Sequence, residues 1–272
     1  MTADDAGQQP PGPRTLVVLP TYNERENLRQ LVDLLLQIEP ELGIVVVDDA
    51  SPDGTGTLAD DLSRERASRL QVIHRAGKLG LGSAYLEGFR LGLAMGADTI
   101  VTMDADFSHD PAHLDRMLEV SRHGADLVIG SRYIAGGSTP DFPLHRRVLS
   151  ATANVVAHAL VGLRARDATA GFRCYKRRVL LALPLDVIRS NGYSFLIEIL
   201  FLVQRFGFDV VEVPIVFRDR TRGASKISKD EIWKAVVTVL RLTWLRFAGG
   251  GRRADRQRNL PNQRAPSDDR GR

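Results

Sequence analysis

Hydrophobic residues in the first half of the chain fall into short continuous runs separated by longer amphipathic stretches. The runs TLVVLP (15–20) and GIVVVDDAS (43–51) are rich in β-branched residues and end in proline or acids, which is typical of buried strands. Between them, Glu24 to Ile38 has apolar residues three and four positions apart, which predicts a helix. The alternation continues with strands predicted at 70–74, 98–103 and 125–132 and helices at 57–66, 83–95 and 111–122.

This alternation predicts an α/β fold in which helices flank a mostly parallel central sheet on both faces. The second half has a different pattern, with one strand predicted at 209–217 and amphipathic helices at 147–163, 193–206 and 227–247. We therefore expect one domain over residues 15–248, ending in amphipathic helices. The segments 1–14 and 249–272 are predicted to be disordered tails.

The charge of the chain is concentrated at its end. The formal net charge of +4 arises from 37 basic and 33 acidic residues, and Gly249 to Arg272 contains seven arginines and three aspartates. This tail accounts for the whole excess, so a pI near 9.4 does not indicate a nucleic-acid-binding surface. The single cysteine, Cys174, excludes an internal disulfide framework. Neither a transmembrane helix nor a signal peptide is predicted.

Two acidic residues, Asp104 and Asp106, directly follow the predicted strand 98–103. Ligands bind outside the carboxyl ends of the strands in sheets of this kind. Alternate residues on an extended backbone point the same way, so both carboxylates can reach one Mg²⁺ or Mn²⁺ ion and leave positions for substrate phosphates. The alternative is a solvated turn or a helix cap. The position at a strand end favours a metal–phosphate site.

Two earlier strand ends carry candidate nucleoside-binding residues. Tyr22, in the motif PTYNE, can stack on a base or a sugar, whereas Asn23 and Glu26 are explained by a capping box at the following helix. Asp49 can accept hydrogen bonds from guanine, from uracil or from a ribose hydroxyl. Asp53, within SPDG, is interpreted as part of an Asx turn.

Basic residues follow two later strands. Arg132 ends the predicted strand 125–132, and the predicted loop RDRTRGASK (218–226) contains three arginines and a lysine. Guanidinium groups suit phosphate recognition. Taken alone, this loop would be interpreted as solvated. Because the acid pair predicts a bound diphosphate, we interpret the loop as phosphate-binding. The glycine-rich GKLGLG (77–82) is neither a Walker A loop nor a dinucleotide fingerprint.

Seven motifs occur in one order: PTYNE, VVDDASPDGT, GLGSAYLEGF, MDADFSHDP, GSRY, TAGFRCYK and DRTRGASK. Each motif is short, but the ordered set, over residues 15 to 247, resembles the dolichol- and polyprenol-phosphate mannosyltransferases of glycosyltransferase family 2. PTYNE and the acid pair are similar to the family at large. The motifs SPDGT, DADFSHDP and R…GxSK are similar to its polyprenol-phosphate branch.

The resemblance implies a GT-A fold and an inverting transfer of mannose from GDP-mannose to a polyprenyl (dolichyl-type) monophosphate. It implies a nucleotide-sugar site built from Pro20, Tyr22, Glu24, Val47, Asp49, Asp104, Ala105, Asp106, Arg132, Arg220 and Lys226. The residues implied in catalysis are Asp104, Asp106, Arg132, Arg220 and Lys226. A metal site of Asp104, Asp106 and Ser108 is implied, although some relatives carry Gln where this chain has Ser108.

The implied acceptor needs little help from a base, because a phosphate with a second pKa of about 6 is substantially anionic at neutral pH. None of the six histidines forms a persuasive catalytic pair, and His109 is interpreted as a surface or loop residue. A long apolar acceptor implies work at a bilayer. We expect the predicted helices 147–163 and 227–247 to make peripheral contact with the cytoplasmic face of a membrane, assisted by a membrane-protein partner, with core packing as the alternative.

Two other functions are consistent with parts of this pattern. The first is a UDP-glucose-dependent polyprenyl-phosphate glucosyltransferase, because the sequence does not distinguish guanine from uracil at Asp49. The second is a catalytically silent nucleotide-sugar-binding subunit. The presence of both acids, Arg132 and the loop 218–226 argues against the second function. A nucleic-acid partner is not expected.

Overall fold

A computed structural model of the protein describes residues 13–39, 41–219 and 229–248. The strands in these residues are β1 (Thr15–Thr21), β2 (Leu42–Asp48), β3 (Leu70–His74), β4 (Thr99–Thr102), β5 (Leu127–Ser131), β6 (Arg173–Lys176) and β7 (Val210–Pro214). The helices are α1 (Arg25–Ile38), α2 (Thr55–Glu65), α3 (Leu81–Ala94), α4 (His113–Arg122), α5 (Leu144–Val156), α6 (Arg177–Ala182), α7 (Tyr193–Arg205) and α8 (Lys229–Ala248). The predicted tails lie at or beyond the ends of these elements, almost entirely outside the described residues.

The strands form one sheet in the order β3-β2-β1-β4-β6-β5-β7. All of them run parallel except β6, which is antiparallel to both β4 and β5. Six strands therefore end at the same edge of the sheet, which we call the carboxyl edge, and β6 begins there. The predicted α/β fold with a mostly parallel sheet is confirmed.

The sheet is buried on both faces, which explains the continuous hydrophobic runs of its central strands. In β1, Leu16 and Val18 face a cluster that includes residues of α3 and α7. Val17 and Leu19 face the opposite cluster, which includes residues of α1, α2 and α4. This alternation follows from the two-residue period of a strand. Helices therefore pack on both faces of the sheet and support its carboxyl edge.

The sequence pattern did not reveal β6 and α6. The strand β6 has the sequence Arg173-Cys174-Tyr175-Lys176, so its four residues carry two charges and form no hydrophobic run. Its place in the sheet is set by pairing with β4 and β5 and by the complete burial of Arg173, Cys174 and Tyr175. Tertiary contacts therefore determine this strand, rather than local pattern.

The predicted capping box at α1 is wrong. The helix begins at Arg25, so Glu24 rather than Asn23 is its N-cap residue, and no side-chain hydrogen bond caps the helix there. Instead, the backbone N–H of Asn23 donates to Ser51 Oγ (3.0 Å), and that of Glu24 donates to Thr55 Oγ1 (2.9 Å). These bonds join the β1–α1 loop to the β2–α2 loop. The two loops therefore form one surface at the carboxyl edge.

The helix predicted at 147–163 is observed as α5 followed by a π-helical turn, Ala157–Val161, and it ends at Gly162 with φ of 77°. The predicted helix 227–247 corresponds to α8, which packs against α7 and the π-helical turn. In the part of the chain that the structure describes, no helix has the length and apolar character needed to cross a membrane.

Replacing Gly88 with Ala is expected to lower the free energy of unfolding by a net of about 1–2 kcal/mol, because overpacking outweighs the higher helix propensity of Ala. Gly88 lies in α3 against β1, and a Cβ there would approach Val18 Cγ1 to 2.3 Å. Urea denaturation measures the change. Gly77→Ala is the control, since no atom lies within 4 Å of its added methyl group. Equal stability of both variants would contradict this account of the α3–β1 contact.

Candidate active site

The ends of β1 and β2 lie side by side at the carboxyl edge. Pro20 is opposite Val47 in the register of the two strands, and Thr21 is opposite Asp48. Asp48 is buried and accepts hydrogen bonds from Thr21 Oγ1 (2.9 Å) and from the backbone N–H of Ser51 (3.0 Å). Val47 is fully buried in the core. Asp48 therefore shapes the turn, and the next residue along the chain, Asp49, lies on the candidate nucleoside side.

Asp49 is held by an arginine that sequence analysis missed. Its Oδ1 accepts from Arg75 Nη1 (2.6 Å), and its Oδ2 accepts from the backbone N–H of Gly80 (3.2 Å). Arg75 is buried, donates to Ser83 Oγ, and has its Nε 3.3 Å from Glu87 Oε1. Arg75 directly follows β3, so the rule that drew attention to the other strand ends would have identified it. Asp49 therefore presents a fixed carboxylate.

Tyr22 is 38% exposed at the end of β1. Lys78 Nζ lies 4.2 Å from the centroid of the Tyr22 ring, a cation–π contact between the β1–α1 loop and the glycine-rich loop 77–82. Glu24 is half-buried and accepts from Asn27 Nδ2 (2.8 Å). The Tyr22 ring is therefore exposed at the carboxyl edge, with a cation on one of its faces.

Asp53 has the turn role that was predicted for it. Its Oδ1 accepts from the backbone N–H (3.0 Å) and Oγ1 (2.6 Å) of Thr55, and its Oδ2 accepts from the backbone N–H of Arg25 (3.2 Å). Partial burial acts to raise the pKa of Asp53, but these hydrogen bonds together lower that pKa. The carboxylate of Asp53 therefore fixes the β2–α2 loop at the start of α2.

The acid pair lies where β4 ends. Asp104 is half-buried and accepts from the hydroxyl of Tyr85 (3.1 Å). Asp106 is 8% exposed and accepts from the backbone N–H (3.0 Å) and the hydroxyl of Ser108. Ala105 between them is buried. The hydroxyl of Ser108 thus positions Asp106, while the less buried Asp104 presents its carboxylate more openly to the cleft.

His109 lies in the loop after β4, as one of its two interpretations had it, but it is buried, so the interpretation as a surface residue is wrong. Its ring lies between Phe172 and Phe217, with centroid distances of 5.3 and 5.2 Å. Nδ1 accepts from the backbone N–H of Asp104 (3.2 Å), so the proton of the neutral imidazole is on Nε2. Burial lowers the pKa of His109, although the nearby carboxylates of Asp104 and Asp106 act to raise it. Through this hydrogen bond, His109 supports the backbone of the acid pair at Asp104.

Arg132 follows β5 and pairs with Asp167, a residue that sequence analysis missed. Its Nε and Nη2 donate to the two oxygens of Asp167 (2.8 and 2.7 Å), and Nη2 also donates to Thr169 Oγ1 (2.8 Å). Burial alone would lower the pKa of Arg132, but Asp167 raises it overall. Burial would likewise raise the pKa of Asp167, but Arg132 lowers it. Both groups are charged. The predicted site residues Arg220 and Lys226 lie outside the described residues.

Among the residues that the structure describes, three other than glycine have positive φ angles: Asn23 (62°), Ala50 (54°) and Phe107 (61°). Each lies in the loop that follows β1, β2 or β4 at the carboxyl edge. Such conformations are costly for residues with a side chain and are often found at ligand-binding sites. The strain is concentrated in the three loops that carry Tyr22, Asp49 and the acid pair.

The donor atoms of the acid pair fit a hard divalent cation. Two carboxylates supply part of the oxygen set that Mg²⁺ or Mn²⁺ takes, and phosphate oxygens and water can supply the rest. Among the residues that the structure describes, there is no group of three or more His, Cys, Asp or Glu side chains that could hold a metal ion. Asp104 and Asp106 would hold such an ion jointly with a bound diphosphate.

Comparison with known proteins relates this architecture to a class of enzymes. A glucosyl-3-phosphoglycerate synthase from Mycobacterium tuberculosis, solved with Mn²⁺, UDP and glucosyl-3-phosphoglycerate, has the same fold, with a TM-score of 0.60 and 20% identity over 86% of this chain and 80% of the other. Residues 16–183 match the family model described as "Glycosyl transferase family 2". The chain belongs to glycosyl transferase family 2. The predicted GT-A fold is confirmed.

Two curated relatives are much more similar in sequence. A polyprenol monophosphomannose synthase from Mycolicibacterium smegmatis is 48% identical over 238 residues, which cover 86% of this chain and 90% of the relative. An undecaprenyl-phosphate mannosyltransferase from Micrococcus luteus is 46% identical over 228 residues, which cover 84% of this chain and 93% of the relative. The similarity therefore extends over nearly the whole length of both relatives.

Proposed function

We propose that the protein transfers mannose from GDP-mannose to a polyprenyl monophosphate and forms polyprenyl-phosphate β-mannose. The observation that carries the proposal is the composition of the carboxyl edge: the acid pair after β4 and Arg132 after β5 flank the antiparallel strand β6. Candidate nucleoside-binding residues lie beyond the acid pair, on β1 and β2. The names of the two relatives support mannose as the sugar and a polyprenyl phosphate as the acceptor.

In this proposal, the donor nucleoside binds between Tyr22 and Asp49. Arg75 and the Gly80 N–H hold the Asp49 carboxylate in one orientation. The carboxylate can therefore accept from the base without a further loss of side-chain conformational entropy. The Tyr22 ring offers a stacking face after Lys78 moves aside. The backbone next to Tyr22 and Asp49 is formed by Pro20, Glu24 and Val47.

Asp104 and Asp106 would hold Mg²⁺ or Mn²⁺ against the donor diphosphate, and Ser108 would act through Asp106. The cation would supply charge neutralisation for the departing GDP. Ser108 keeps Asp106 oriented, and Tyr85 does the same for Asp104, so the two carboxylates are ordered before the donor arrives.

The acceptor phosphate would be oriented by Arg132, and by Arg220 and Lys226 in the region outside the described residues. A phosphate oxygen attacks the anomeric carbon in line with the bond to GDP; a new carbon–oxygen bond forms as the old one breaks. This inverts the configuration from α to β. The oxygen is anionic at neutral pH, so no side chain needs to remove a proton from it. The buried position and lowered pKa of His109 agree with a supporting role.

The decisive experiment is a panel of donors and acceptors with the purified protein. GDP-mannose and UDP-glucose would each be offered with a polyprenyl monophosphate in the presence of Mg²⁺, Mn²⁺ or EDTA. We expect transfer from GDP-mannose only, dependent on the metal. Transfer from UDP-glucose would replace this proposal with the glucosyltransferase. Donor binding without transfer to any acceptor would indicate a silent binding subunit.

We also propose that the protein makes peripheral contact with the cytoplasmic face of a membrane through α5 and α8. Large exposed hydrophobic side chains are concentrated on these helices and the π-helical turn: Leu144, Val148, Val155, Val156, Leu160, Trp233, Val236, Val237, Leu240, Trp244 and Phe247. The exposed Lys234 lies among those on α8, which suits a helix near anionic headgroups. A membrane-protein partner would add to this contact.

Replacing Trp244 and Phe247 together with Gln is expected to reduce flotation of the protein with anionic liposomes by about tenfold. Burial of two large aromatic side chains contributes about 1.5–3 kcal/mol each at most, and interfacial burial is partial. The control is Leu181→Gln, which removes a similarly exposed hydrophobic residue from α6. Wild-type protein that stays unbound, with or without acceptor in the vesicles, would contradict direct lipid contact and leave a membrane protein as the required partner.

A further inference from the structure

The ion pair of Arg132 and Asp167 is connected to α5 by a short chain of buried polar groups. Thr169 Oγ1 accepts from Arg132 Nη2 (2.8 Å) and donates to Asp167 Oδ1 (3.4 Å). Asn154, on α5, donates from Nδ2 to the same Thr169 oxygen (3.3 Å). All four side chains are less than a tenth exposed. The position of the guanidinium therefore depends on groups beyond its direct carboxylate partner.

Asn154 also holds the backbone of the segment that carries Asp167 and Thr169. Its Oδ1 accepts from the backbone N–H of Ala168 (2.8 Å), and its Nδ2 donates to the carbonyl of Ser150 one helical turn earlier (3.0 Å). From the other side, Glu212 on β7 accepts from the backbone N–H of Asp167 (3.0 Å). The segment is thus clamped between α5 and the sheet, and Asn154 is the clamp on the α5 side.

The two faces of α5 differ in character. Asn154 faces inward and is buried, whereas Val148, Val155 and Val156 are exposed. An apolar groove of about 400 Å³ lies along the helix, and Tyr133, next to Arg132, lines it together with Asn154 and Val155. A displacement of α5 would therefore reach Arg132 through Asn154 and Thr169.

We propose that Asn154 and Thr169 are positioning residues for the acceptor: through Asp167 they set the orientation in which Arg132 meets the acceptor phosphate. This inference rests on the proposed function, because it assigns the acceptor side of that reaction to Arg132. A planar guanidinium recognises phosphate only in a defined orientation, so small errors in its support weaken recognition. The other donor-site residues, at the ends of β1, β2 and β4, share none of these hydrogen bonds, so donor binding is expected to change little.

The test uses steady-state kinetics of the full-length protein with GDP-mannose and a polyprenyl monophosphate, each varied in turn. Thr169→Val removes a hydrogen bond to the charged guanidinium and is expected to raise the KM for the acceptor about tenfold, while the KM for GDP-mannose stays within about twofold. Asn154→Ala removes the support of Thr169 and is expected to have an effect of about the same size. Thr169→Ser restores the hydroxyl and is expected to restore the acceptor KM. The double variant is expected to lose less than the product of the two single effects, since both act on one network.

Two controls separate positioning from other causes. Thr152→Ala removes an exposed polar side chain from the same helix and is expected to leave both KM values unchanged. A short, water-soluble prenyl monophosphate is expected to reproduce the Asn154→Ala effect, because the phosphate is the group that Arg132 recognises. An effect confined to the long-chain acceptor, or an equal rise in the KM for GDP-mannose, would overturn the inference. Wild-type protein that transfers no mannose to either acceptor would instead overturn the proposed function.

Discussion

Replacing Asp106 with Asn is expected to lower turnover by about three orders of magnitude while the fold persists. The amide keeps the size of the side chain and one oxygen that can accept from Ser108, but it removes the negative charge. Without that charge the cation is held less firmly against the diphosphate, and the departing GDP is less well stabilised. Asp104→Asn is expected to have a similar effect, because Asp104 is the more exposed carboxylate of the pair.

Single-turnover transfer from GDP-mannose measures the loss, and a second measurement identifies its cause. Metal should strengthen GDP-mannose binding to the wild type but not to either variant. Asp110→Asn is a matched control four residues away: Asp110 is exposed, and its side chain accepts from the backbone N–H of Ala112, which an Asn side chain can also do. Near-normal turnover by Asp106→Asn would remove the metal role of the acid pair.

The parts of the site that follow hydrophobic strands could be predicted from the sequence. The runs before Tyr22, Asp49, Asp104 and Arg132 are short, continuous and contain β-branched residues, and each of the four residues is observed at or just after the end of an observed strand. The carboxyl-edge rule then brings residues far apart in sequence to one edge. Strand position, rather than any single motif, made these predictions possible.

Except for Arg75, which directly follows the predicted strand at 70–74, the supporting residues could not be predicted in the same way. Asp167 follows no strand and is 35 positions from Arg132, so their pairing leaves no local signal. Because β6 is short and charged, the sequence pattern does not predict that Arg173 lies in the sheet. The buried guanidinium of Arg173 donates to the carbonyls of Ala168 (2.8 Å) and Leu196 (2.9 Å). Long-range polar pairing determines these positions, and periodicity carries no information about it.

The capping box failed for a related reason. Asn23 and Glu26 have the spacing of a local cap, but the backbone N–H groups before α1 find partners in the β2–α2 loop instead. A cap satisfies the first N–H groups of a helix, and any acceptor at the right place can do so. Here the acceptors come from another strand end, which ties the two nucleoside-side loops together.

Replacing Asp167 with Asn is expected to lower the free energy of unfolding by about 3–5 kcal/mol, because it leaves the charge of Arg132 buried without its counter-charge. Arg132 and Asp167 are both buried, and the carboxylate oxygens each accept from one guanidinium nitrogen. Glu65→Gln tests the role of burial: it breaks the similarly two-pronged but solvent-exposed pair with Arg29, and its effect is expected to be much smaller.

The same pair makes a prediction for acid conditions. The pKa of Asp167 is lower in the folded state than the ordinary value of about 3.9, so its contribution to stability is complete above that value and is lost as the pH falls through the folded-state pKa. Unfolding of the wild type should therefore become easier in strong acid. Asp167→Asn has no carboxyl group to titrate at this position, so its stability should fall less steeply over the same pH range.

A double variant separates stability from function. Arg132→Met combined with Asp167→Leu removes both charges and keeps apolar volume, so it is expected to recover most of the stability lost by Asp167→Asn. Its transfer activity should remain lost, because the acceptor phosphate no longer meets a guanidinium. Urea denaturation and mannosyl transfer, measured on the same preparations, give the two readouts. A double variant as unstable as Asp167→Asn would show that the hydrogen bonds of this pair, rather than the unpaired buried charge, govern the stability of this part of the fold.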